Sequence, residues 1–468
     1  MIHQYKNNGY NIVMDVNSGS VHVVDDNAYG IISLMEDENA SKDEILKKAQ
    51  LLYKKADKKE LEDTYQELID LKEQGMLFSE DVDVWKVQNI AAQRPPVIKA
   101  LCLHIAHACN MACRYCFADE GEYKGEKALM SFEVGRHALD FLVENSGSRI
   151  QLEVDFFGGE PLLNFTVVRQ IVAYGRSLEE KYHKKFRFTM TTNGLLLDDE
   201  IIAFANKEFD NIVLSIDGRK EVHDHMRPQK DGNGTYEQIL PQFIKVAESR
   251  HQEKYFVRGT FTHYNLDFAK DVLHLADLGF KEISVEPVVA DPKEPYAIKE
   301  EELPVIFEQY DILAKEMIRR KQEGREFHFF HYKVDLKGGP CLIRRISGCG
   351  AGKEYLAITP WGDIYPCHQF VEHKEFLMGT VFTGISNRDV RKKFERVNVF
   401  TKESCRDCFA RYYCSGGCCA NAYNASGKID GPYEIGCQLQ RKRIENAIML
   451  QAAYDELREY KRIGIMEP

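Results

Sequence analysis

The sequence predicts a mixed α/β protein whose central part is a partial (β/α)6 barrel of the TIM type. Between about residue 97 and residue 325, six β-rich runs alternate with helical patterns, which is typical of a parallel sheet. Polar and glycine-containing clusters follow these runs, at the strand ends where such barrels assemble their sites. A complete barrel would have eight strand-helix units, so six predict a partial one.

The predicted strands are short and rich in β-branched and aromatic residues. They are VIKALCLHI, IQLEVDFFGG, FRFTMTTNG, NIVLSIDG, YFVRGTFTH and EISVEPVV. The stretches between them repeat apolar residues every three to four positions, as amphipathic helices do. These stretches include SFEVGRHALDFLVEN, NFTVVRQIVAYGRSLEEKY, TYEQILPQFIKVAESR and DFAKDVLHLADLG.

Residues 1–80 are predicted to form a separate small domain. YNIVMDVNSGSVHVVDD contains two β-rich runs around the turn formers NSG, which predicts a hairpin. Helical patterns follow; Ser41 is a candidate N-cap, and Gly75 ends the last pattern. A hairpin next to three helices is the arrangement of a winged helix.

The remaining segments differ in composition from the central region. Residues 81–96 end in RPP and are predicted to be a linker. Residues 326–437 lose the alternation and are rich in Cys, Gly and Tyr, so bound metal is expected to stabilise them. RKRIENAIMLQAAYDELREYKR predicts a helix within the last segment, residues 438–468.

Length and composition exclude several classes of protein. The chain has 468 residues, of which 44% are hydrophobic and 29% charged, which favours a soluble globular protein of two or three domains. A formal charge of −11 disfavours a nucleic-acid partner. We expect a cytoplasmic location and no membrane contact, because the sequence shows neither a signal peptide nor an apolar run of about 18 residues.

The thirteen cysteines are clustered rather than spread along the chain. Three lie at 109–116 and nine between 341 and 437, which leaves Cys102 alone on a predicted strand. Disulfides are disfavoured in a reducing cytosol. The clusters therefore predict metal centres.

Cys109, Cys113 and Cys116 stand in a loop directly after the first predicted strand, spaced C-x3-C-x2-C. Three thiolates leave one coordination position open, although chance or an incomplete zinc site remain alternatives. With Tyr115 before the last cysteine, the motif resembles that of the radical S-adenosylmethionine (SAM) superfamily. The resemblance implies a 4Fe-4S cluster on three cysteines, with SAM on the fourth iron.

Other strand ends match the same family in their order along the chain. GGEP resembles the glycine motif that meets the SAM amino group, and SIDG with HDHMRP resembles a run common in peptide-modifying members. Plain turns and an ordinary salt bridge are the alternatives. The resemblance implies a SAM pocket formed by Tyr115, Gly158, Gly159, Glu160, Pro161, Thr192, Asn193, Ser215, Asp217 and Arg258.

The second cysteine field is spaced C-x12-G-x4-C, then C-x2-C-x5-C-x3-C, then a final cysteine. This spacing resembles the SPASM domain, which holds two auxiliary 4Fe-4S clusters, with a zinc ribbon as the alternative. The resemblance implies one cluster on Cys405, Cys408, Cys414 and Cys437, and a cluster nearer the barrel on Cys349, Cys367 and Cys418. The fourth ligand of the nearer cluster is open between Cys341, Cys419 and a substrate thiolate.

Taken together, the three regions resemble radical SAM/SPASM peptide maturases, in particular the clostridial thioether-forming maturases of "six cysteines in forty-five" peptides. The resemblance implies a radical SAM oxidoreductase with three 4Fe-4S clusters. It would link a Cys sulfur to an acceptor carbon, a Thr in that family, in a ribosomally made Cys-rich precursor peptide. The N-terminal domain would bind the peptide leader along NIVMDV or SVHVVD. Flavodoxin or ferredoxin would donate electrons, and no side-chain general base stands out.

Three other functions stay open at this point. A sulfatase-maturating type enzyme would oxidise Cys or Ser to formylglycine with the same clusters. Another radical enzyme would form a different peptide crosslink. A non-enzymatic regulator would combine a DNA-binding winged helix with metal centres, although Asp15, Asp25 and Asp26 around the hairpin disfavour DNA.

Overall fold

The computed structural model describes residues 1–81, 83, 97–123, 125–336, 346–371 and 373–462, with backbone alone for 460–462. Most of the predicted linker at 81–96 lies outside the described residues. The candidate ligand Cys341 and the last six positions of the predicted C-terminal segment also lie outside them.

A three-stranded antiparallel sheet opens the chain, in the order β1-β2-β3. Its strands are β1 Ile2–Asn7, β2 Tyr10–Asp15 and β3 Val21–Val24. The predicted hairpin is present as β2 and β3. The sequence analysis missed β1, whose mostly polar run IHQYKN lacks a clear strand pattern. Because β2 is the middle strand, NIVMDV cannot offer a free sheet edge, which corrects one of the two expected edges.

Three helices pack against this sheet, and the winged-helix arrangement stays a prediction. They are α1 Asp26–Met35, α2 Lys42–Leu52 and α3 Lys58–Glu73. Ser41 caps α2 as predicted, in a capping box with Glu44. The buried apolar core of this domain consists of Val13, Ile31, Ile32, Ile45, Ala49, Leu61, Leu68 and Leu77.

The central region is a parallel sheet whose strands follow one another in chain order. These strands are β4 Ala100–His107, β6 Gln151–Gly158, β7 Lys185–Thr192, β8 Asn211–Ser215, β9 Tyr255–Phe261 and β10 Glu282–Pro287. Two short strands flank them: β5 Ala128–Leu129 pairs with β4, and β11 His328–Phe329 pairs with β10. The predicted mixed α/β fold with a parallel sheet is confirmed. Its closure into a partial barrel stays a prediction.

Helices connect the parallel strands. They are α4 Phe132–Asn145, α5 Phe165–Tyr182, α6 Asp199–Glu208, α7 Lys220–Met226, α8 Tyr236–Ser249, α9 Phe268–Asp277 and α10 Leu303–Gln322. Single 3-10 turns lie at Pro161–Asn164, His263–Asn265, Glu300–Glu302, Phe330–Tyr332, His368–Phe370 and Lys374–Phe376. Across the described part of the chain, no helix combines the length and apolar character that crossing a membrane requires.

The Cys-rich region continues the central sheet, a feature that the sequence did not predict. β12 Tyr355–Ile358 pairs in parallel with β4, on the side opposite β6, and is followed by β13 Asp363–Tyr365, β14 Gly379–Thr380 and β15 Gly384–Ile385. Because β4 has neighbours on both sides, all of its residues are buried. Helices α11 Arg388–Arg396, α12 Glu403–Arg406, α13 Arg411–Cys414, α14 Cys419–Ser426 and α15 Glu434–Arg462 complete the fold.

The N-terminal sheet is attached to the rest of the protein through β1. The Tyr5 hydroxyl donates to the Glu445 carbonyl on α15 at 2.8 Å, and the Asn7 amide donates to the side chain of Asn446 at 3.1 Å. The His3 ring stacks on Phe409 with a centroid distance of 3.5 Å. β1 is therefore covered, and β3 is the uncovered edge strand of this sheet among the described residues.

The Asp15 side chain holds the C-terminal end of the N-terminal domain against the hairpin turn. Its buried carboxylate accepts hydrogen bonds from the backbone N–H of Asn17 and Ser18 at 3.0 Å and from that of Ser79 at 2.7 Å. Burial alone would raise the pKa of Asp15, but the hydrogen bonds from Ser79 and Ser18 outweigh it and lower the pKa. One carboxylate therefore joins the hairpin turn to the segment that leads toward the barrel.

We expect Asp15→Ala to open this junction, because three partly buried N–H groups lose their acceptor at up to about 1 kcal/mol each. Amide hydrogen exchange should become faster at Ser18 and Ser79 and stay unchanged for Asp37→Ala, an exposed turn residue of the same domain. Since the folded pKa is lowered, the contribution is full above the unfolded pKa of about 3.9 and is lost as pH falls through the folded value. Unchanged exchange in Asp15→Ala would contradict the assignment.

Candidate active site

The loop that carries the first three thiols is held by a second segment of the chain. The backbone N–H of Ala112 donates to the Pro228 carbonyl at 2.9 Å. Met111 and Gln229 form an isolated antiparallel bridge beside this bond. The HDHMRP run, which the sequence analysis singled out, thus ends in the segment that fixes the backbone of the cysteine loop.

The three thiols lie within one another's electrostatic field. Burial raises the pKa of Cys113 to about 12 and that of Cys109 to about 11, and it also raises the pKa of Cys116. Cys116 and Cys109 raise the pKa of Cys113 further, whereas the Arg227 guanidinium opposes the rise at Cys113 and Cys116. Iron needs thiolates, so cluster assembly at this loop releases protons.

The backbone of the cysteine loop touches the end of β6. The N–H of Gly159 donates to the Ala106 carbonyl at 2.8 Å, and the N–H of Glu160 donates to the Ala108 carbonyl at 2.9 Å. A Cβ on Gly159 would lie 2.1 Å from the Ala108 oxygen, and one on Gly158 would lie 2.4 Å from the Ala106 oxygen. Both glycines are therefore required for this close approach of two backbone segments.

A buried carboxylate ties the cysteine loop to the ends of β8 and β9. The Tyr115 hydroxyl donates to both oxygens of Asp217, at 2.8 and 2.7 Å. The Asp217 carboxylate also accepts from Arg227 Nε at 3.0 Å and from the Thr260 N–H at 2.9 Å. The Arg227 guanidinium lies 5.3 Å from the centre of the Tyr115 ring. The Asp217 carboxylate is thus occupied by protein donors.

Glu160, like Asp217, is a buried carboxylate whose oxygens accept hydrogen bonds from the protein near the thiols. Its carboxylate accepts from the Leu162 N–H at 3.0 Å, the Thr192 hydroxyl at 2.8 Å and the Asn193 N–H at 2.8 Å. Burial nevertheless raises the pKa of Glu160 to about 7. The Asn193 amide in turn donates to the Cys109 sulfur at 3.6 Å. Glu160 therefore connects the GGEP turn to the TTNG turn and, through Asn193, to the first thiol.

A cavity of about 220 Å³ opens at the carboxyl ends of the parallel strands. Predicted site residues in its wall are Cys109, Cys113, Cys116, Tyr115, Gly158, Gly159, Thr192, Asn193, Ser215 and Arg258. Three other predicted residues, Glu160, Pro161 and Asp217, are buried or packed behind this wall. For those three, the structure shows supporting contacts within the protein.

The cavity wall also contains residues that the sequence analysis did not assign to the site, among them Arg227, Thr260, Glu286 and His368. Arg227 belongs to the HDHMRP run, and His368 follows the predicted ligand Cys367, so each had a signal in the sequence. Arg258 forms an ion pair with Glu286. Such an ordinary salt bridge was the alternative to a SAM contact in the sequence analysis. The wall thus carries two guanidinium groups, each beside a carboxylate.

The cysteines of the predicted outer auxiliary cluster come together from α12, α13 and the first turn of α15. Burial raises the pKa of Cys414 to about 11, and Cys437, Cys405 and Cys408 raise it further. These four thiols therefore lie within one another's electrostatic field.

The thiols of the nearer predicted set also influence one another's pKa. Burial raises the pKa of Cys367, and so do Cys418 and Cys349. Cys419 lies in the same field, since Cys418 and Cys349 also raise its pKa, which reaches about 11 mainly through burial. Cys341 lies outside the described residues. Of the candidates for the fourth ligand, Cys419 is therefore the one that the described part of the chain contains.

None of the described thiol sets is gathered around a single point. Within residues 1–81, 83, 97–123, 125–336, 346–371 and 373–462, no three His, Cys, Asp or Glu side chains lie close enough to hold one metal ion. In an iron-sulfur cluster the thiolates are held by the cluster rather than by one ion. The thiols of each set lie within one another's electrostatic field but do not surround one common point. This arrangement is compatible with iron-sulfur clusters.

A wider and more open groove, of about 560 Å³, lies at the opposite ends of the strands. Its wall is charged and includes Arg176, Glu208, Asp210 and Lys254. It contains no cysteine among its described residues, and parallel sheets bind ligands at the carboxyl ends of their strands. The smaller cavity beside the thiols is therefore the candidate active site.

Two iron-sulfur families match the chain. The 4Fe-4S single cluster domain matches residues 99–241, and the SPASM iron-sulfur cluster-binding domain matches residues 349–409. The uncharacterized protein MJ0907 of Methanocaldococcus jannaschii is 30% identical over 58% of this chain and 85% of its own length. The mycofactocin maturase MftC of Mycolicibacterium smegmatis is 24% identical over 71% of this chain and 81% of its own. The chain belongs to the radical SAM enzymes with a SPASM domain.

Other radical SAM enzymes agree with this assignment. The cysteine-type anaerobic sulfatase-maturating enzyme of Clostridium novyi is 22% identical over 67% of this chain and 85% of its own. The structure of anSMEcpe with bound AdoMet has a TM-score of 0.63 at 18% identity, covering 76% of this chain and 99% of that one. Streptococcus suis SuiB bound to its precursor peptide SuiA has a TM-score of 0.51 at 14% identity, covering 93% and 98%, and shows a shared fold.

Membership of the radical SAM family decides the cofactors. The family matches confirm 4Fe-4S clusters as cofactors, and the predicted SAM and three clusters agree with membership of the radical SAM enzymes with a SPASM domain. The donor chemistry of the described residues fits them, because soft thiolates in three sets are what iron-sulfur clusters need. A zinc ribbon and a purely structural metal site are no longer needed to explain the cysteines.

We expect Gly159→Ala to distort the cysteine loop, because its new Cβ would meet the Ala108 carbonyl at 2.1 Å. The reconstituted variant should lose iron from the barrel cluster and bind SAM at least tenfold more weakly. Gly125→Ala is the matched control, since its Cβ would meet only ordinary contacts at 3.5 Å or more. Iron analysis and SAM titration check this, and equal behaviour of the two variants would contradict it.

Proposed function

We propose that this chain is a peptide maturase that joins a Cys sulfur to an acceptor carbon, a Thr in the resembled family, within a ribosomally made Cys-rich peptide. The observation that carries the proposal is the combination of a radical SAM site, two further thiol sets and an N-terminal sheet with an uncovered edge. Forming the thioether removes a hydrogen from the thiol and one from the acceptor carbon. The peptide therefore loses two protons and two electrons. One proton and one electron would leave as the hydrogen atom that the 5′-deoxyadenosyl radical removes, and the other electron would leave through the clusters while the thiol proton goes to solvent.

The proposed holders of the barrel cluster are Cys109, Cys113 and Cys116. The backbone at Gly158 and Gly159 would face the SAM amino group. When bound together, SAM and the reduced cluster supply a 5′-deoxyadenosyl radical that removes hydrogen from unactivated carbon. The chain's own task is to position the reactants and exclude water.

Two arginines of the cavity wall are suited to the SAM carboxylate. Arg227 is buried between Tyr115 and Asp217, so its guanidinium is held in place before a ligand arrives. Arg258 is about half exposed and must turn from Glu286 to reach a ligand. Planar guanidinium groups match carboxylates with two parallel hydrogen bonds. We assign the fixed Arg227 as the principal carboxylate partner, with Ser215 beside it in the wall.

The relatives support a peptide as substrate. One is a mycofactocin maturase, one is a sulfatase-maturating enzyme, and SuiB was captured with a precursor peptide. The first two are maturation enzymes by name, and SuiB binds a precursor peptide. We extend this to the present chain and assign a Cys-rich precursor peptide as its substrate, with flavodoxin or ferredoxin as electron donor.

β3 is the proposed binding edge for the peptide leader. β1 is covered by α15, and β2 is central, so β3 alone in this described sheet can accept another strand. The Val23 side chain on β3 is 54% exposed, which leaves apolar surface for an added strand. Backbone hydrogen bonds would give affinity, and alternate side chains would give specificity.

The position of Cys419 favours one alternative function. If Cys419 completes the nearer auxiliary cluster, no iron is left for a substrate thiolate, which is the arrangement expected of a formylglycine-forming enzyme. The N-terminal peptide-binding sheet favours the thioether reading, since a sulfatase-maturating enzyme does not obviously need one. A DNA-binding regulator is not supported, because MftC and the sulfatase-maturating enzyme, two relatives of this chain, are enzymes.

The first test is anaerobic reconstitution followed by incubation with SAM, a reductant and a Cys-rich precursor peptide. We expect 5′-deoxyadenosine and a peptide lighter by about two hydrogens, the loss that any two-electron crosslink gives. Fragmentation should place the new bond between a Cys and its acceptor. A Cys109→Ala, Cys113→Ala, Cys116→Ala variant should give neither product.

Other outcomes of this test separate the alternatives. An aldehyde at a single Cys, in which oxygen from water has replaced the sulfur and two hydrogens are lost, with hydrogen sulfide released, would show formylglycine formation instead. A crosslink without sulfur would show another peptide maturase. A failure of the iron-loaded protein to cleave SAM would contradict the radical SAM assignment of this site.

The edge strand is tested by Val23→Pro, because proline removes an N–H donor and disfavours strand addition. We expect the affinity for the leader peptide to fall at least tenfold, while SAM cleavage without peptide stays unchanged. Leu51→Ser changes an exposed apolar residue on α2 of the same domain and serves as the control. Fluorescence anisotropy with a labelled leader measures both, and equal affinities would exclude β3 as the binding edge.

A further inference from the structure

A buried lysine lies between the two auxiliary thiol sets. Lys402 precedes α12 and is only 5% exposed. Its ammonium donates to the Gly416 carbonyl at 2.8 Å. Gly416 lies in the short segment between Cys414, assigned to the outer cluster, and Cys418, assigned to the nearer one. The ammonium is thus fixed to the backbone that joins the two sets.

The charge of Lys402 reaches thiols of both sets. Burial raises the pKa of Cys405 in the outer set, and Lys402 opposes that rise. Burial likewise raises the pKa of Cys418 in the nearer set, where Lys402 is again among the groups that lower it. The same ammonium opposes the rise at Cys419. One cation therefore acts on both proposed clusters.

Lys402 differs from Arg411, the other buried cation near α12, in having no carboxylate partner among the described residues. Arg411 pairs with Asp81 at 3.0 Å, and the partly exposed Arg441 pairs with Glu434 at 2.5 Å. For Lys402, the described residues provide no carboxylate within 4.0 Å, and its only hydrogen bond there is to a neutral carbonyl. Burying an ammonium without an anion is costly, because the charge loses its hydration. A nearby anion is needed to offset that cost.

We propose that the Lys402 ammonium is the counter-charge shared by the two auxiliary clusters and that it raises the reduction potential of both. Clusters held by cysteine thiolates carry negative charge, and one-electron reduction adds a further negative charge. A fixed cation stabilises the reduced form more than the oxidised form. Net charge and hydrogen bonding are known to set the potentials of such clusters. This inference rests on the proposed cluster ligands and not on the thioether product.

The test is an EPR-monitored redox titration of the fully reconstituted full-length protein, without peptide. Lys402→Met removes the charge and keeps most of the side-chain volume, and we expect both auxiliary midpoint potentials to move to lower values. The potential of the barrel cluster, which binds SAM, should stay unchanged. Lys402→Arg keeps the charge and should keep the potentials near those of the parent protein.

Controls make the result specific to this lysine. Lys428→Met removes an exposed lysine in the turn after α14 and should change no potential. If Lys402→Met loses auxiliary iron while Lys402→Arg retains it, the need for charge is shown directly by iron analysis. Unchanged potentials in an iron-replete Lys402→Met protein would overturn the proposal. Equal shifts or equal iron loss in both variants would also overturn it, because they would show a need for the lysine shape.

These readouts separate two kinds of failure. Iron content and midpoint potentials are measured without any peptide, so a wrong substrate or product does not affect them. If the titration succeeds and no thioether forms with any Cys-rich peptide, the proposed product is wrong and the role of Lys402 stands. If the thioether forms and the midpoint potentials do not change in Lys402→Met, only the present inference fails.

Discussion

The architecture of this site depends on the buried carboxylate of Asp217. It holds the Tyr115 hydroxyl, the Arg227 guanidinium and the Thr260 N–H at the same time. Each donor comes from a different segment, namely the cysteine loop, the segment after α7 and strand β9. A buried carboxylate is tolerated only when its hydrogen bonds are satisfied, so the three segments must meet at this point. The position of the thiols relative to the strand ends follows from that requirement.

The continuous sheet gives the Cys-rich region a fixed position relative to the central parallel strands. β12 pairs with β4 over four residue pairs, and β4 leads directly into the cysteine loop. The segment after β13 then carries Cys367 and His368, and His368 lies in the wall of the same cavity as Cys109. A strand pairing therefore brings a proposed auxiliary ligand beside the SAM site without a flexible connection. For chemistry that passes between the two, such fixed geometry removes the entropy cost of bringing the centres together.

Local patterns in the sequence were sufficient for much of this structure. The six central strands and the helices singled out between them stand where periodicity predicts, because each is a strong local pattern with clear breakers. The three cysteine sets were predicted from spacing and resemblance and stay a prediction, although the thiols of each described set influence one another's pKa. The features that the sequence did not predict depend on tertiary contacts. β1 has a polar sequence and is a strand because it pairs with β2 and packs on α15. The joining of β12 to β4 spans about 250 residues of chain, and no local pattern encodes such a pairing.

The site residues show the same difference between local patterns, which the sequence reveals, and tertiary contacts, which it does not. Tyr115, Ser215 and Arg258 were predicted on strand ends or in the motif and do line the cavity. Asp217 belongs to an equally clear motif but lies behind the wall, since motif spacing does not tell which way a side chain points. Arg227 was overlooked for the converse reason: only the folded structure shows that a residue after α7 returns to the thiols.

The N-terminal domain illustrates how one attachment can leave one edge available. Its sheet has two outer strands, and β1 is covered through Tyr5 and Asn7 on α15 and through His3 on Phe409. Phe409 follows Cys408, so the covered edge rests on the loop of the outer thiol set. The opposite edge, β3, must then face away from this contact, because a three-stranded sheet has its outer strands on opposite sides. A strand added at β3 would extend the sheet without disturbing β1. Attachment and recognition can therefore coexist in a domain of only three strands and three helices.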